Sequence, residues 1–303
     1  MLPPTCTAHE DILTQSTNAF CSEDVPHMLA LGAGVTVRVV GGRVAVVFDG
    51  EMPHAWQLRM LAGRVAAVHV NLMPPGRRDL AWLSPLGSSV RLLDVMDQCD
   101  DISGLEEFAD LESLSLRFRP RTGHEALRRL SELRSYEGPW FEALSPVLRS
   151  PRLTELELHQ PPRDLEVHVR APLRRLRLLG AGRLSSLAVM PCHASLEYLE
   201  VAGGKEFDLS RVGGYSVLEE VVVYGRTPLT GVRALRHCKA LRSVVFEDCY
   251  SIDDASVFQH LELERLAVIG RAESMDPQLL DRLRSLKVKK LIVPPAPEDS
   301  GGA

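Results

Sequence analysis

The sequence predicts an α/β solenoid, and three observations carry that expectation. A pattern of the form L-x-x-L-x-L opens eleven times, at Val65, Val90, Leu111, Leu133, Leu153, Leu173, Leu196, Leu218, Leu241, Leu263 and Val288, at intervals of 20 to 25 residues. Each run alternates apolar and variable positions as a short strand with one buried face does, and the text between runs leaves room for a turn and a short return segment. Aromatic residues are only 5% of a chain rich in Leu, Val, Ala and Arg, a balance that suits stacked aliphatic strands better than one deep core.

The most complete unit is Leu241 to Leu261, LRSVVFEDCYSIDDASVFQHL. Leu241, Val244 and Phe246 share one face of a strand, and Cys249 falls where the chain turns away, a place that suits a small residue with a modest donor. Ile252 re-enters the core, Asp253 is a candidate helix cap, and Val257 and Leu261 supply an apolar stripe four residues apart. Strand, turn and short helix at this period closely resemble a leucine-rich repeat of the cysteine-containing kind, mixed here with shorter bacterial-type units. The resemblance covers roughly Val65 to Val293. It implies a horseshoe with a parallel β-sheet on its concave side, a mixed helix and strand convex side, and a concave face that binds another protein. The Asn that regular members carry after each strand is missing from most units here.

The totals exclude several function classes. A net charge of -5 and a pI near 6.1 give no electrostatic reason to expect nucleic acid or an anionic membrane as partner. The six cysteines contain no C-x-x-C pair, and the opening MLPPTCTAHED lacks the basic and apolar segments of a signal peptide. No apolar run reaches about 18 residues. A reduced, cytoplasmic chain is therefore the expectation.

In chain order, residues 1–30 mix Pro, Thr, Ser and acids and read as a loosely ordered lead-in with a short helix near Ala8 to Thr14. Residues 31–60 contain VTVRVVGGRVAVVF, in which Gly41-Gly42 between two alternating runs signals a β-hairpin. Such a hairpin would cap the open N-terminal edge of the solenoid. Residues 61–293 form the solenoid itself, and 294–303, PPAPEDSGGA, read as a disordered tail. The return segments vary. Thr122 and Glu125 make a candidate capping box for a helix carrying Ala126, Leu127 and Leu130. Pro139 opens another with Phe141, Leu144 and Leu148 inward. DLEVHV (164–169) and RLSSLAV (183–189) alternate like strands. Helices return after Thr230, with Val232, Leu235 and Cys238 inward, and after Asp276-Pro277, with Leu279, Leu280 and Leu283 inward and Met275 stapled on Leu280.

No catalytic, metal or cofactor signature is present: G-x-S-x-G, H-E-x-x-H and the P-loop are all missing. Gly203-Gly204-Lys205 reads as a turn, and Gly32-Ala33-Gly34 precedes a hairpin and not the helix that a dinucleotide fingerprint needs. The adjacent pairs Cys192-His193 and His237-Cys238 point apart and chelate poorly. No catalytic residue, metal or cofactor is expected.

The informative residues are those whose strand phase faces away from the core. The fifth positions of the units read His69, Asp94, Ser115, Glu137, Glu157, Arg177, Glu200, Val222, Val245, Ala267 and Ile292, turning from polar to apolar near Val222. Tyr224 and Ile269 at the seventh positions extend the apolar part, and Tyr198 and Glu220 at the third border it. Val222, Tyr224, Val245 and Ile269 are expected to be accessible. Glu155, Glu157, Arg175, Arg177 and Glu200 are expected to form exposed opposite-charge rows worth about 0 to 1 kcal/mol per pair. The function expected is a non-enzymatic, protein-binding scaffold, with Tyr198, Glu200, Glu220, Val222, Tyr224, Val245, Ala267, Ile269, Arg175 and Arg177 as the partner-binding set. Two rivals use the same fold: an immunity-type neutraliser of a toxin or enzyme, and an enzyme or enzyme accessory with a loop-built site near His69, Asn71 and Asp94.

Overall fold

Five or so residues of alternating phase are enough for one strand but too few for a stable free sheet, so each run needs its neighbours. The computed structural model describes residues 29–32, 34–40, 43–184, 186–187, 194–204, 206–225, 228–249, 251–270 and 277–294. Three strands come first: β1 (Leu29–Gly32), β2 (Val35–Val40) and β3 (Arg43–Asp49). The eleven repeat openings then lead into β4 (Val65–Leu72), β5 (Leu92–Val95), β6 (Ser113–Leu116), β7 (Ser135–Pro139), β8 (Glu155–His159), β9 (Arg175–Leu179), β10 (Tyr198–Ala202), β12 (Glu220–Tyr224), β14 (Ser243–Glu247), β16 (Arg265–Ile269) and β17 (Lys290–Ile292). Together they make one 14-stranded sheet in chain order, parallel from β3 onward.

β2 and β3 pair antiparallel from Val35 against Phe48 to Val40 against Arg43, and β3 runs parallel to β4, so the hairpin covers the first repeat strand. Gly41-Gly42 lies outside the described residues. β1 starts inside the stretch read as a loose lead-in and adds an antiparallel strand to the hairpin. Its four residues, LALG, lack the alternation that marks a strand. The helix expected near Ala8, the Met275 staple and nearly all of the expected tail also lie outside the described residues.

Behind the sheet one continuous core runs from Val35 to Leu286, built from the first, fourth and sixth positions of each unit. The return segments are mostly 3₁₀ turns: Ala81–Leu86 and Ser103–Glu107, and also His124–Arg129, Val232–His237 and Ala255–His260, where the sequence suggested helix. A unit of 20 to 25 residues explains this, because a six-residue 3₁₀ segment rising about 2.0 Å per residue spans what needs about eight residues of α-helix. The capping box at Thr122 does not form: Gly123 is the cap residue, in the left-handed region. Pro139 belongs to β7, and its helix begins only at Glu142. DLEVHV holds a single α turn, Leu165–His168, and not a strand. The last helix, Pro277–Arg284, buries Leu279, Leu280 and Leu283 as its spacing requires.

Two devices join the units. A second, three-stranded parallel sheet of β11 (Phe207–Asp208), β13 (Pro228–Thr230) and β15 (Ser251–Ile252) follows the turns of three late units. Asp253 works across repeats, accepting from the backbone N–H of Gly231 at 2.7 Å and of Val232 at 3.2 Å, so it caps the preceding unit's 3₁₀ segment. Its own segment is capped by Asp254, whose Oδ1 accepts from Ser256 N at 3.1 Å. The Cys249 thiol meets the backbone carbonyls of Glu247, Val223 and Gly225, and Cys99 fills the corresponding turn after β5. The eighth position of five successive units is left-handed: Gln160, Gly180, Gly203, Gly225 and Asp248. That bend carries the chain off the strand, and Gly is the residue that adopts it without Cβ strain.

Candidate functional site

The eleven fifth positions form one unbroken row across the sheet, in the register the spacing predicted: His69, Asp94, Ser115, Glu137, Glu157, Arg177, Glu200, Val222, Val245, Ala267, Ile292. Their side chains stand on the sheet face opposite the core.

The first seven members build a polar network. His69 Nδ1 lies 3.3 Å from Asp94 Oδ2. Burial pushes the Asp94 carboxyl up, but the His69 hydrogen bond and charge outweigh it and hold the group below its usual value. Glu137 and Glu157 are direct cross-strand neighbours. Like charges so placed repel, and the chain answers with two arginines. Arg117 Nη1 reaches Glu137 at 2.6 Å, and Arg177 pairs with Glu157 on one side and, through Nε at 2.9 Å, with Glu200 on the other. The compensation is unequal. Burial and the Glu157 charge push the Glu137 carboxyl above its usual value, against the pull of Arg117. At Glu157 burial acts in the same direction, but the His159 hydrogen bond at 3.0 Å and the Arg177 charge hold the carboxyl below its usual value.

Glu137, Glu157 and His159 each offer one metal-ligand atom, and these atoms lie within 4.8 Å of one another. Both carboxylates are already engaged by guanidinium groups, so a cation there would have to displace Arg117 and Arg177. The enzyme rival placed His69, Asp94 and Asn71 together; the first two meet, while Asn71 is an exposed residue two positions further along β4.

The last four members are apolar and do not stand free. Tyr198, Val222, Val245 and Ala267 form a second buried cluster, with Tyr224, Ile269 and Ile292 packed on it half-buried. Val222 is 1% exposed and Val245 5%. This corrects the expectation that both would be accessible. The phase was right, but side chains on strands about 4.8 Å apart cover their neighbours when two tyrosines and an isoleucine flank the row. The charged rows need the same correction. Glu200 is 3% exposed, Tyr198 donates to its Oε2 at 2.6 Å, and Arg177 is largely buried, so this ladder is a desolvated network and not a set of exposed pairs. Burial and the Glu200 charge push the Tyr198 phenol up, and the same two influences push Tyr224 up to about 12. The Arg175 guanidinium sits 4.6 Å over the Tyr198 ring. Of the ten residues singled out in the sequence, Arg175, Glu220, Tyr224 and Ile269 stay half-exposed, Arg177 less so, and the other five lie beneath. The sequence reading missed Arg117 and His159, although both sit at seventh positions, where strand phase could have found them.

Among the described residues no helix is long and apolar enough to cross a membrane. No family model matches the sequence, and no curated protein is similar to it. Solved structures are. An internalin of Listeria monocytogenes is 15% identical over 81% of this chain and 74% of its own, with a TM-score of 0.50. A leucine-rich-repeat protein of Leptospira interrogans is 14% identical over 76% of this chain and 64% of its own, with a TM-score of 0.44. Internalin C2 of Listeria monocytogenes is 13% identical over 74% and 79%, with a TM-score of 0.32. Identities this low speak to the fold alone. Eleven in-register repeat strands, their aliphatic core and the likeness to the first internalin establish that fold: the chain is a leucine-rich-repeat solenoid.

Proposed function

We propose that this solenoid is a non-enzymatic protein-binding scaffold and that its partner seats on the concave sheet where the outward row passes from charged to apolar. One observation supports this reading above the others. At that boundary a buried network and a buried apolar cluster hold four half-exposed side chains, Arg175, Glu220, Tyr224 and Ile269, in fixed positions. Rigid aromatic and arginine groups at the centre of a contact carry most of its energy, and pre-ordering them lowers the entropy cost of binding. Tyr198, Glu200, Val222, Val245 and Ala267 act from beneath as support. We place the protein in the cytoplasm, a reading that the buried free thiols of Cys99, Cys238 and Cys249 support.

The test compares proteins captured from the native host by immobilised wild type with those captured by a Tyr224→Ala, Ile269→Ala double variant. A partner held by the first and weakened about 30-fold, or about 2 kcal/mol, by the second is the expected result. Unchanged affinity in a variant with wild-type circular dichroism places the contact elsewhere.

A further inference from the structure

Charge is not spread evenly along the chain. Residues 79–116 carry nine acidic side chains and one basic one, Arg91, whereas residues 117–183 carry fourteen arginines, no lysine and eight acids. Sequence order in a solenoid is spatial order along its axis, so these blocks become neighbouring bands. Asp94, Arg117 and Arg177 of these blocks lie on the concave sheet. Glu125, Glu132 and Glu142 lie among the outer arginines of the second band, where Glu125 pairs with Arg128 and Glu132 with Arg152. On the outer surface the bands meet between two consecutive 3₁₀ segments. Ser103–Glu107 buries Leu105 and leaves Glu106 and Glu107 exposed, and His124–Arg129 buries Ala126 and Leu127 and leaves Arg128 and Arg129 exposed. Arg149 is exposed at the end of the following return segment, Ser145–Leu148. Arg128 reaches Glu125 of its own segment at 3.4 Å, while among the described residues no ion pair engages Glu106, Glu107, Arg129 or Arg149. A groove of about 530 Å³, floored by Leu127, Pro146 and Val147, opens between Arg128 and Arg149.

We propose that this outer surface pairs with a second copy of the chain about a two-fold axis at the boundary between the bands. Such an axis lays each acidic band on its partner's basic band, so one patch is matched twice. An unrelated protein would need the same alternation of sign at the same spacing, whereas a second copy carries it already. Arginine suits the role, because its planar fork takes a carboxylate through two hydrogen bonds. Two outward-curving surfaces touch over a limited area, so the contact depends on charge and weakens with salt. The proposal is independent of the concave reading, since Tyr224 and Ile269 take no part.

Sedimentation equilibrium on the full chain tests it. At about 50 mM salt the wild type is expected to approach twice its 33.5 kDa mass and to return to the monomer at about 500 mM. Glu106→Arg with Glu107→Arg, and separately Arg129→Glu with Arg149→Glu, should each raise the dissociation constant at least about tenfold, because each makes both bands alike in sign. Mixing the two variants should restore association as a heterodimer, since every band again faces its opposite. Circular dichroism checks that each variant is folded; if either fails, its single-site forms, Glu107→Arg and Arg149→Glu, carry the same comparison. A wild type that is monomeric at low salt, a dimer indifferent to salt or to both variants, or a mixture that fails to re-associate would overturn the proposal.

Discussion

Tyr198 donates its phenol hydrogen to Oε2 of Glu200 at 2.6 Å, two residues further along the same strand, and that oxygen also accepts from Arg177 Nε at 2.9 Å. A carboxylate 3% exposed is thus held by one neutral and one charged donor, with Val222 as its neighbour on the next strand. The charged and apolar halves of the row are joined at this residue.

Removing one member of a desolvated pair leaves the other buried without compensation. Glu200→Ala, which leaves Arg177 with Glu157 alone, should cost about 3 to 5 kcal/mol. Tyr198→Phe, which deletes one hydrogen bond to a charged group, should cost about 1.5 to 3 kcal/mol. Urea unfolding of both variants and of the double variant measures the coupling; additive effects would mean that the Tyr198 and Glu200 contact contributes nothing of its own.

The outward apolar row should behave as core. Val222→Asp places a charge in a cluster where the native side chain is 1% exposed, and it should destabilise by several kcal/mol, as should Val223→Asp on the opposite face. A Val222→Asp variant that melts at the wild-type temperature would show that the row opens to solvent.

The paired glutamates should respond to pH in opposite directions. Glu157 is held below its usual value of 4.5, so its contribution is present above pH 4.5 and is lost as pH falls through the lower folded value. Glu137 is raised above 4.5, so its contribution is present below pH 4.5 and is lost as pH rises through the higher folded value. Near pH 7, Glu137→Gln should therefore equal or exceed the wild type in stability, and Glu157→Gln should fall below it with a shallower loss on acidification. Denaturant titrations at several pH values check the signs, and a destabilising Glu137→Gln would show that the Arg117 ion pair outweighs the repulsion.

Asp253 should matter to the unit before its own. Asp253→Ala removes the acceptor of two backbone N–H groups and should cost about 1 kcal/mol, with Asp253→Asn costing less. Hydrogen exchange should speed up at Gly231 and Val232; an effect confined to residues 254–260 would assign the cap to the wrong unit.

The spacing of the aliphatic positions determined period, phase and register together. A strand has a period of two, so once Val68, Leu93 and Leu114 must share a core, the faces of His69, Asp94 and Ser115 follow without further information. The hairpin was legible for the same reason, since Val35 to Val40 and Arg43 to Phe48 alternate about two glycines. Tertiary structure alone decided what the outward row experiences. Whether Val222 is wet depends on Tyr198 and Val245, brought beside it by strands more than 20 residues away in sequence, together with Tyr224 two residues along its own strand, and no local pattern encodes that sum. The same holds for Asp253, whose side chain caps across the stack, and for the carboxylates of Glu137 and Glu157, whose opposite shifts depend on their mutual repulsion across strands and on how Arg117, Arg177 and His159 are shared between them. Burial and electrostatics sum over neighbours in space, whereas strand phase is set by neighbours in the chain.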